Sequence, residues 1–336
     1  MTLFGQFSGL VLLLLAAMLL SLSLGNYPMT VTDILHFLGA LTGISAMDAA
    51  QYDLLYNILI DVRLPRVLAA VLVGMALSGS GAAFQAVFRN PLVSPGMLGV
   101  LAGASFGATL GMLWHGSWLV IQSSAFLFGL LAVALGVAIG MIFGRGSIIT
   151  LLLGGIISSA LFSALLSMVK FVADPQDELP SIIYWLMGSL GLSSLSDVLW
   201  LVPVMLLAVL VLCGFGRALD AMSMGDDEAK ALGVPVLWVR YGVIIAATMA
   251  SALSVSIAGI VGWVGLLTPH VARMLVGPAN ARLMPVSIVL GAIFLLLADC
   301  LSRVISQVEV PIGIVTECLG LPLFLLVLHR ARKGWN

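Results

Sequence analysis

The strongest constraint on this chain is a run without one charged side chain from Asn90 to Gly144, 55 residues in all. A helix rises about 1.5 Å per residue and the hydrocarbon core of a bilayer is about 30 Å thick, so this run is too long for one crossing and must turn back once. The turn is legible at Trp114-His115-Gly116-Ser117-Trp118, where two indoles flank a Gly-Ser break, as expected of a chain at headgroup level. Other charge-free runs cover Met1 to Thr32, Val67 to Phe88, Gly146 to Val169 and Tyr241 to Ala272, with shorter ones at 179–196, 198–216 and 283–298. Only 9% of the residues are Asp, Glu, Lys or Arg, against 61% apolar, whereas soluble domains carry about a quarter charged residues. A soluble globular protein is excluded.

Caps and breakers divide the chain into ten crossings near 8–25, 65–84, 95–113, 119–143, 148–169, 196–215, 239–258, 260–277, 284–304 and 312–329. The fold expected is an all-α polytopic membrane protein, one membrane domain over 1–336. An even number of crossings puts both termini on one side, and the tail His329-Arg330-Ala331-Arg332-Lys333 assigns that side to the cytoplasm. On this path Arg89, Arg145, Arg217, Lys230, Arg240, Arg273, Arg282, Arg330, Arg332 and Lys333 are cytoplasmic, and Arg63, Arg66, Lys170 and Arg303 are outside; ten against four accounts for all 14 basic residues. The first apolar run lacks a basic n-region and a good cleavage site, and reads as a retained helix rather than a signal peptide. The net charge of −1 gives no reason to expect a nucleic-acid partner.

Glycine is placed with a purpose. Gly103, Gly107 and Gly111 recur every four residues on one expected helix, and Gly136, Gly140 and Gly144 on the next. Such faces let helix backbones approach closely. Two Gly- and Pro-interrupted stretches, 90–99 and 259–269, occupy roughly corresponding places in the two halves and hint at an internal duplication. The segment 174–192 is too short to cross once its acidic flank is removed, and its Tyr184-Trp185 pair suits a short helix at the outer surface, near a pore mouth.

Chemistry-bearing motifs are scarce. There is no G-x-x-x-x-G-K-[ST] phosphate loop, no C-x-x-C, no H-E-x-x-H and no G-x-S-x-G elbow with a histidine partner. His36, His115, His270 and His329 are scattered, and Cys213, Cys300 and Cys318 read as free thiols in or beside helices. No enzyme activity, metal or cofactor is expected. The longest cytoplasmic loop, 218–237, holds Asp226-Asp227-Glu228-Ala229-Lys230-Ala231-Leu232-Gly233, an acidic start, a short helix and a Gly-x-Pro stop. Read alone, it is equally a solvated loop helix or a handle for a soluble partner. Two acids lie within crossings, Asp299 and Glu317, where charge is costly and functional by default. For Asp299, Arg303 one turn on is the simple structural partner. Glu317 has no sequence-local partner.

Several blocks taken together resemble a known family: Arg63-Leu64-Pro65-Arg66, "GAAFQAVFRNPLVSPGMLGVL" from Gly81, "MGDDEAKALGVP" from Met224, "GIVGWVGLLTPHVAR" from Gly259, and "LLLADCLSR" followed by "VPIGIVTECLG". They are similar to the FecCD-like permeases of ATP-binding-cassette importers for iron-siderophores, haem and cobalamin, with relatives for molybdate or tungstate. The resemblance implies a type II importer permease in the bacterial inner membrane. It would be a homodimer on two cytoplasmic ATPase subunits, fed by a periplasmic binding protein. It further implies that Arg63, Arg66 and Arg303 meet acidic residues of that binding protein, and that Asp226 to Gly233 form the coupling helix inserted into the ATPase. The outer gate would lie at Tyr184, Trp185 and Gly188, and the inner gate at Ser147 and Thr150. Glu317 departs from the family pattern, which has a small uncharged residue there. The implied cargo is a metal chelate, with a molybdate or tungstate oxyanion as the alternative. From another class, an ion-gradient-driven transporter would use Asp299 and Glu317 as coupling acids.

Overall fold

Helix follows helix along the whole path, and no strand occurs among the described residues, which in this computed structural model are 3–25, 27–144, 147–191 and 194–333. In chain order the α-helices are α1 (Leu3–Ser23), α2 (Val31–Leu41), α3 (Ala49–Tyr56), α4 (Leu64–Val87), α5 (Val100–Leu113), α6 (Trp118–Gly144), α7 (Ile148–Val172) and α8 (Glu178–Leu186). Then come α9 (Leu195–Gly214), α10 (Gly216–Met224), α11 (Asp226–Ala231), α12 (Val236–Ala258), α13 (Val264–Val276), α14 (Asn280–Val304) and α15 (Ile312–Lys333). A π-helical turn, Asn57–Arg63, joins α3 to α4, and a 3₁₀ turn, Pro95–Leu98, precedes α5.

Each of the ten expected crossings has its helix: α1, α4, α5, α6, α7, α9, α12, α13, α14 and α15. Seven apolar stretches are long enough to span a membrane, and α5, α13 and α15 are the shorter apolar remainder. The interior share separates two classes. It is 83% for the stretch ending in α4 and 78% for α12 and α14, but 28% for α6, α7 and α9 and 11% for α1. The first class forms a central column and the second a peripheral sleeve; in lipid a helix gains nothing from hiding Leu and Ile and buries small or polar residues instead.

The column is held by close backbone approach and hydroxyl bonds. A methyl added to Gly81 of α4 would lie 1.8 Å from the Gly265 carbonyl oxygen of α13. The Ser78 hydroxyl of α4 lies 2.6 Å from Thr268 Oγ1 of α13 and 2.8 Å from Ser287 Oγ of α14. Ser80 Oγ donates to the Ala247 carbonyl of α12 at 2.9 Å. The two glycine faces read from the sequence are packing faces: Gly103 and Gly107 meet Phe128 and Ser124 of α6, while Gly136 and Gly140 meet Gly155 and Leu151 of α7.

One region is more structured than its sequence reading. Residues 31–63 form α2, α3 and the π turn around a small core of Met29, Ile34, Phe37, Leu55 and Leu59. Phe37 meets Tyr52 and Tyr56 ring to ring at 5.6 and 6.5 Å. The missed signal is the amphipathic spacing of Ile34 and Phe37, the only two buried positions of α2. The short helix expected within 174–192 is α8; Leu192 lies outside the described residues.

Candidate functional site

Charged side chains gather at the two ends of the central column. At the end where α4 begins and α14 finishes, Asp299 is fully buried. Its Oδ1 accepts the Arg66 Nε–H at 2.7 Å. Its Oδ2 lies 3.1 Å from Arg303 Nη2, close enough for ion pairing but off the N–H direction, so this oxygen accepts no hydrogen bond. Arg66 extends its other nitrogen to Glu309, both of whose oxygens accept Nη1–H bonds at 2.7 and 2.8 Å. Arg303 donates onward to the carbonyls of Ser21 and Leu24 and to Ser21 Oγ, at 3.1, 2.8 and 2.7 Å. Arg63 reaches the Leu22 carbonyl at 2.5 Å and also bonds the Tyr27 carbonyl.

These bonds answer a local need. The last carbonyls of α1 have no partner within the helix, and a guanidinium at a helix C-terminus satisfies them and complements the dipole. The sequence reading has Arg63, Arg66 and Arg303 facing outward toward a partner. In the structure all three are buried, with 5%, 7% and 7% exposure, and their donors are directed to α1, Asp299 and Glu309. The expected Asp299–Arg303 pair is present. Arg66, which lies 233 positions from Asp299, is the partner that local spacing could not reveal.

Next to this network, Gly188 knits three elements together. It follows α8 at φ +82°, a left-handed conformation that glycine adopts without strain. Its carbonyl accepts from Ile312 at the start of α15 at 3.1 Å. Neighbouring Ser189 donates to the Ala258 carbonyl at the end of α12 at 3.0 Å, and Met187 accepts from Gly313 at 3.0 Å. Tyr184 and Gly188 border a small pocket with Arg66 and Glu309. At the other end of the molecule Ser147 caps α7, accepting from the Thr150 amide at 3.3 Å, with its hydroxyl 2.9 Å from Thr150 Oγ1. Arg145, part of the same turn, lies outside the described residues.

That opposite end carries a second carboxylate between two guanidinium groups. Asp226, first residue of α11, accepts from Arg240 of α12 at 2.6 Å and from Arg89, which follows α4. Burial raises the Asp226 pKa, but the Arg240 hydrogen bond and the charges of Arg240, Arg89 and Lys230 outweigh it and hold the carboxyl below its ordinary value. Ala229 is fully buried against the core. Asp226 and Ala229 therefore anchor α11, whereas Asp227, Glu228, Lys230, Ala231, Leu232 and Gly233 are exposed. Around them Met224, Leu232, Leu237 and Trp238 present apolar surface, 61 to 82% exposed. The basic residues gather at this end: Arg89, Lys230, Arg240 and Arg273 all lie here, and Arg273 bonds Gln85 at 3.1 Å. Glu317 of α15 is exposed and has no hydrogen bond or ion pair among the described residues.

Both the fold and the charged ends have counterparts among known proteins. Residues 13–330 match the model of the FecCD transport family. The chain belongs to this family. It is 38% identical over 326 residues to the molybdate import system permease protein MolB of Haemophilus influenzae, covering 97% of this chain and 96% of that one. It is 39% identical over 275 residues to a probable iron chelatin transport system permease protein of Helicobacter pylori, covering 82% of this chain and 83% of the other. A solved structure of a metal-chelate type ABC transporter in an inward-facing conformation superposes with a TM-score of 0.86. It has 36% identity and covers 97% of this chain and 99% of that one. This FecCD permease is thus a membrane-spanning transport subunit of the ABC class with the type II importer permease fold.

One member of the charged ends and one pairing escape the sequence reading. Glu309 sits in the loop between α14 and α15, where an acid looks like ordinary solvated surface. The sequence reading names Asp226 in the coupling helix but not its pairing with Arg240, 14 positions on, across one short helix and one turn.

Proposed function

We propose that this FecCD permease works as a symmetric pair on two cytoplasmic ATPase subunits, takes its cargo from an extracytoplasmic binding protein and moves it inward through the bacterial inner membrane. No catalytic step is assigned to this chain; ATP hydrolysis belongs to the ATPase. The cargo supported best is a metal chelate, as in the iron chelatin relative and the metal-chelate structure; the molybdate relative keeps an oxyanion as the second reading. The end bearing α11 is cytoplasmic, in keeping with its basic residues, and both termini lie on that side.

The observation that carries the reading is the mounting of α11. A short helix with an exposed apolar and charged surface is tied by Asp226 to the ends of two central helices, through Arg89 and Arg240. ATP-driven closure of the ATPases would push this surface as a rigid lever and rock the permease pair between outward- and inward-open states. The outer gate falls to Tyr184, Trp185 and Gly188, and the inner gate to the Ser147–Thr150 turn. Binding-protein docking at the outer end would depend on Arg63, Arg66 and Arg303 through the geometry they hold, since their guanidinium groups are used inside the chain.

The ion-gradient alternative loses one of its two coupling acids, because Asp299 is buried between two guanidinium groups. Reconstitution separates the two classes. Proteoliposomes holding the permease, its ATPase and its binding protein should take up cargo only with ATP. Uptake driven by an ion gradient with no ATPase present would reject the importer reading.

A further inference from the structure

The two Gly- and Pro-interrupted stretches meet in space. A cavity of about 200 Å³ is lined by Ser94, Pro95 and Gly96 from the first and by Val261, Gly262 and Trp263 from the second. Leu77 of α4 also lines it, and that residue lies about midway along its helix, which sets the cavity at membrane depth. Neither flanking helix spans alone. At about 1.5 Å per residue, α13 with 13 residues and α5 with 14 reach only about 20 Å. Non-helical backbone at this depth is tolerated where it is buried in protein or lines water. Here the amides of Ile260, Val261, Gly262 and Trp263 donate to no described group, and Ser94 makes no side-chain cap bond. Water in the cavity would satisfy these donors.

Glu317 is not a lining residue but lies beside one of them, Gly262. A methyl on Gly262 would lie 3.9 Å from Glu317 Cγ and 4.0 Å from Oε1. The same exposed face of α15 carries Ile314 at 41% and Leu321 at 51% exposure, so the carboxylate interrupts an apolar surface. An unpaired acid facing lipid is costly, and such residues face water-filled paths instead. Trp263 holds the rim in shape: at φ +67° its backbone is strained for a residue with a side chain. Its ring meets Phe324 of α15 at 5.7 Å, and Gly320 leaves room for it.

We propose that this cavity is a cargo-contact subsite and that Glu317 sets its sign, admitting neutral or cationic hydrophilic cargo such as a metal chelate and repelling free oxyanions. The inference rests on the importer reading and decides between its two cargo classes. The second interrupted stretch supplies the open backbone, the first supplies the opposite wall, and α15 supplies the charge.

The test reads the field in the cavity without needing the cargo. Cysteine is placed at Gly262, where a side chain has room, in full-length permease whose Cys213, Cys300 and Cys318 are replaced by alanine. Its alkylation in membrane vesicles is then timed with methanethiosulfonate reagents of equal size and opposite charge. Relative to a small free thiol, the cationic reagent should be favoured about tenfold, as one unit charge a few ångströms away in water would produce. Glu317→Gln should abolish the preference and Glu317→Asp should keep it. Ser94→Cys, on the opposite wall, should show a weaker preference of the same sign and serves if the Gly262 variant fails to insert. An unchanged preference in Glu317→Gln, or no labelling of either cysteine by either reagent, would overturn the proposal. Neither result bears on ATP-dependent uptake, whose failure would instead strike the importer reading.

Discussion

The two ends of the central column carry the same chemical device, one aspartate between two arginines, in different solvent. At the end where α4 begins, Asp299 is 0% exposed and Arg66 and Arg303 are 8% and 6% exposed along their side chains. At the α11 end Asp226 is 32% exposed and Arg89 34%, with only Arg240, at 4%, fully withdrawn. The Asp299 device reaches α1, α4, α14 and the Glu309 loop, and every side chain in it except Glu309 is buried. It is a brace. The Asp226 device joins a small surface helix to the ends of α4 and α12 and leaves that helix's outward face exposed. It is a mounting, and under the proposed function it is where force from a partner would enter.

The comparison breaks if the two devices respond alike to the loss of the aspartate. Asp299→Ala leaves the buried Arg303 guanidinium without a counter-ion and Arg66 with Glu309 alone, a change that costs about 3–5 kcal/mol. Its expected outcome is a large loss of inserted, detergent-stable protein by fluorescence size-exclusion chromatography. Asp226→Ala should cost less, about 1–2 kcal/mol given its exposure. The protein should remain inserted, with its melting temperature lowered modestly, while ATPase co-purification falls. Equal losses of folded protein in both variants would erase the distinction between brace and mounting.

Acidity sharpens the same contrast. The folded-state pKa of Asp226 is depressed, so its contribution is fully present above the unfolded aspartate value and is lost only as pH falls through the lower folded value. Hydrogen exchange of α11 amides, corrected for intrinsic rates, should therefore show constant protection between about pH 5 and 8. Increasing exposure within that window would mean that another group controls the mounting. The smallest effect is expected at Lys230, whose pair with Asp227 at 2.9 Å is exposed on both sides. Lys230→Ala should change the melting temperature by no more than the equivalent of about 0.5 kcal/mol.

What was legible in the sequence follows from how far apart the interacting residues lie. Length and charge-free composition mark the membrane helices one at a time, so the ten crossings and the Trp114–Trp118 turn could be read directly. The Asp299–Arg303 pair is one helical turn and could be read as well. Arg66 with Asp299, Arg89 with Asp226, and Arg303 with the end of α1 join positions 137 to 282 residues apart. Nothing in local spacing encodes such pairs; they exist because α14 packs against α4 and α1, and because α10, which leads into α11, packs against α4. For the same reason the bonds of Arg63 to the end of α1 and of Arg66 to Asp299 and Glu309 do not show in the sequence. The convergence of 90–99 and 259–269 on one cavity was visible only as two similar interruptions. The small core around Phe37 was missed because short amphipathic helices outside the membrane resemble loop sequence when read beside long apolar runs.

The central claim is that the exposed surface of α11 couples ATP hydrolysis to transport. Its most direct test is ATP-dependent uptake per inserted permease for Leu232→Glu, a residue 65% exposed on that surface. The account predicts that uptake is lost while the protein inserts and melts as the unaltered chain does. Full ATP-dependent uptake by Leu232→Glu would contradict it.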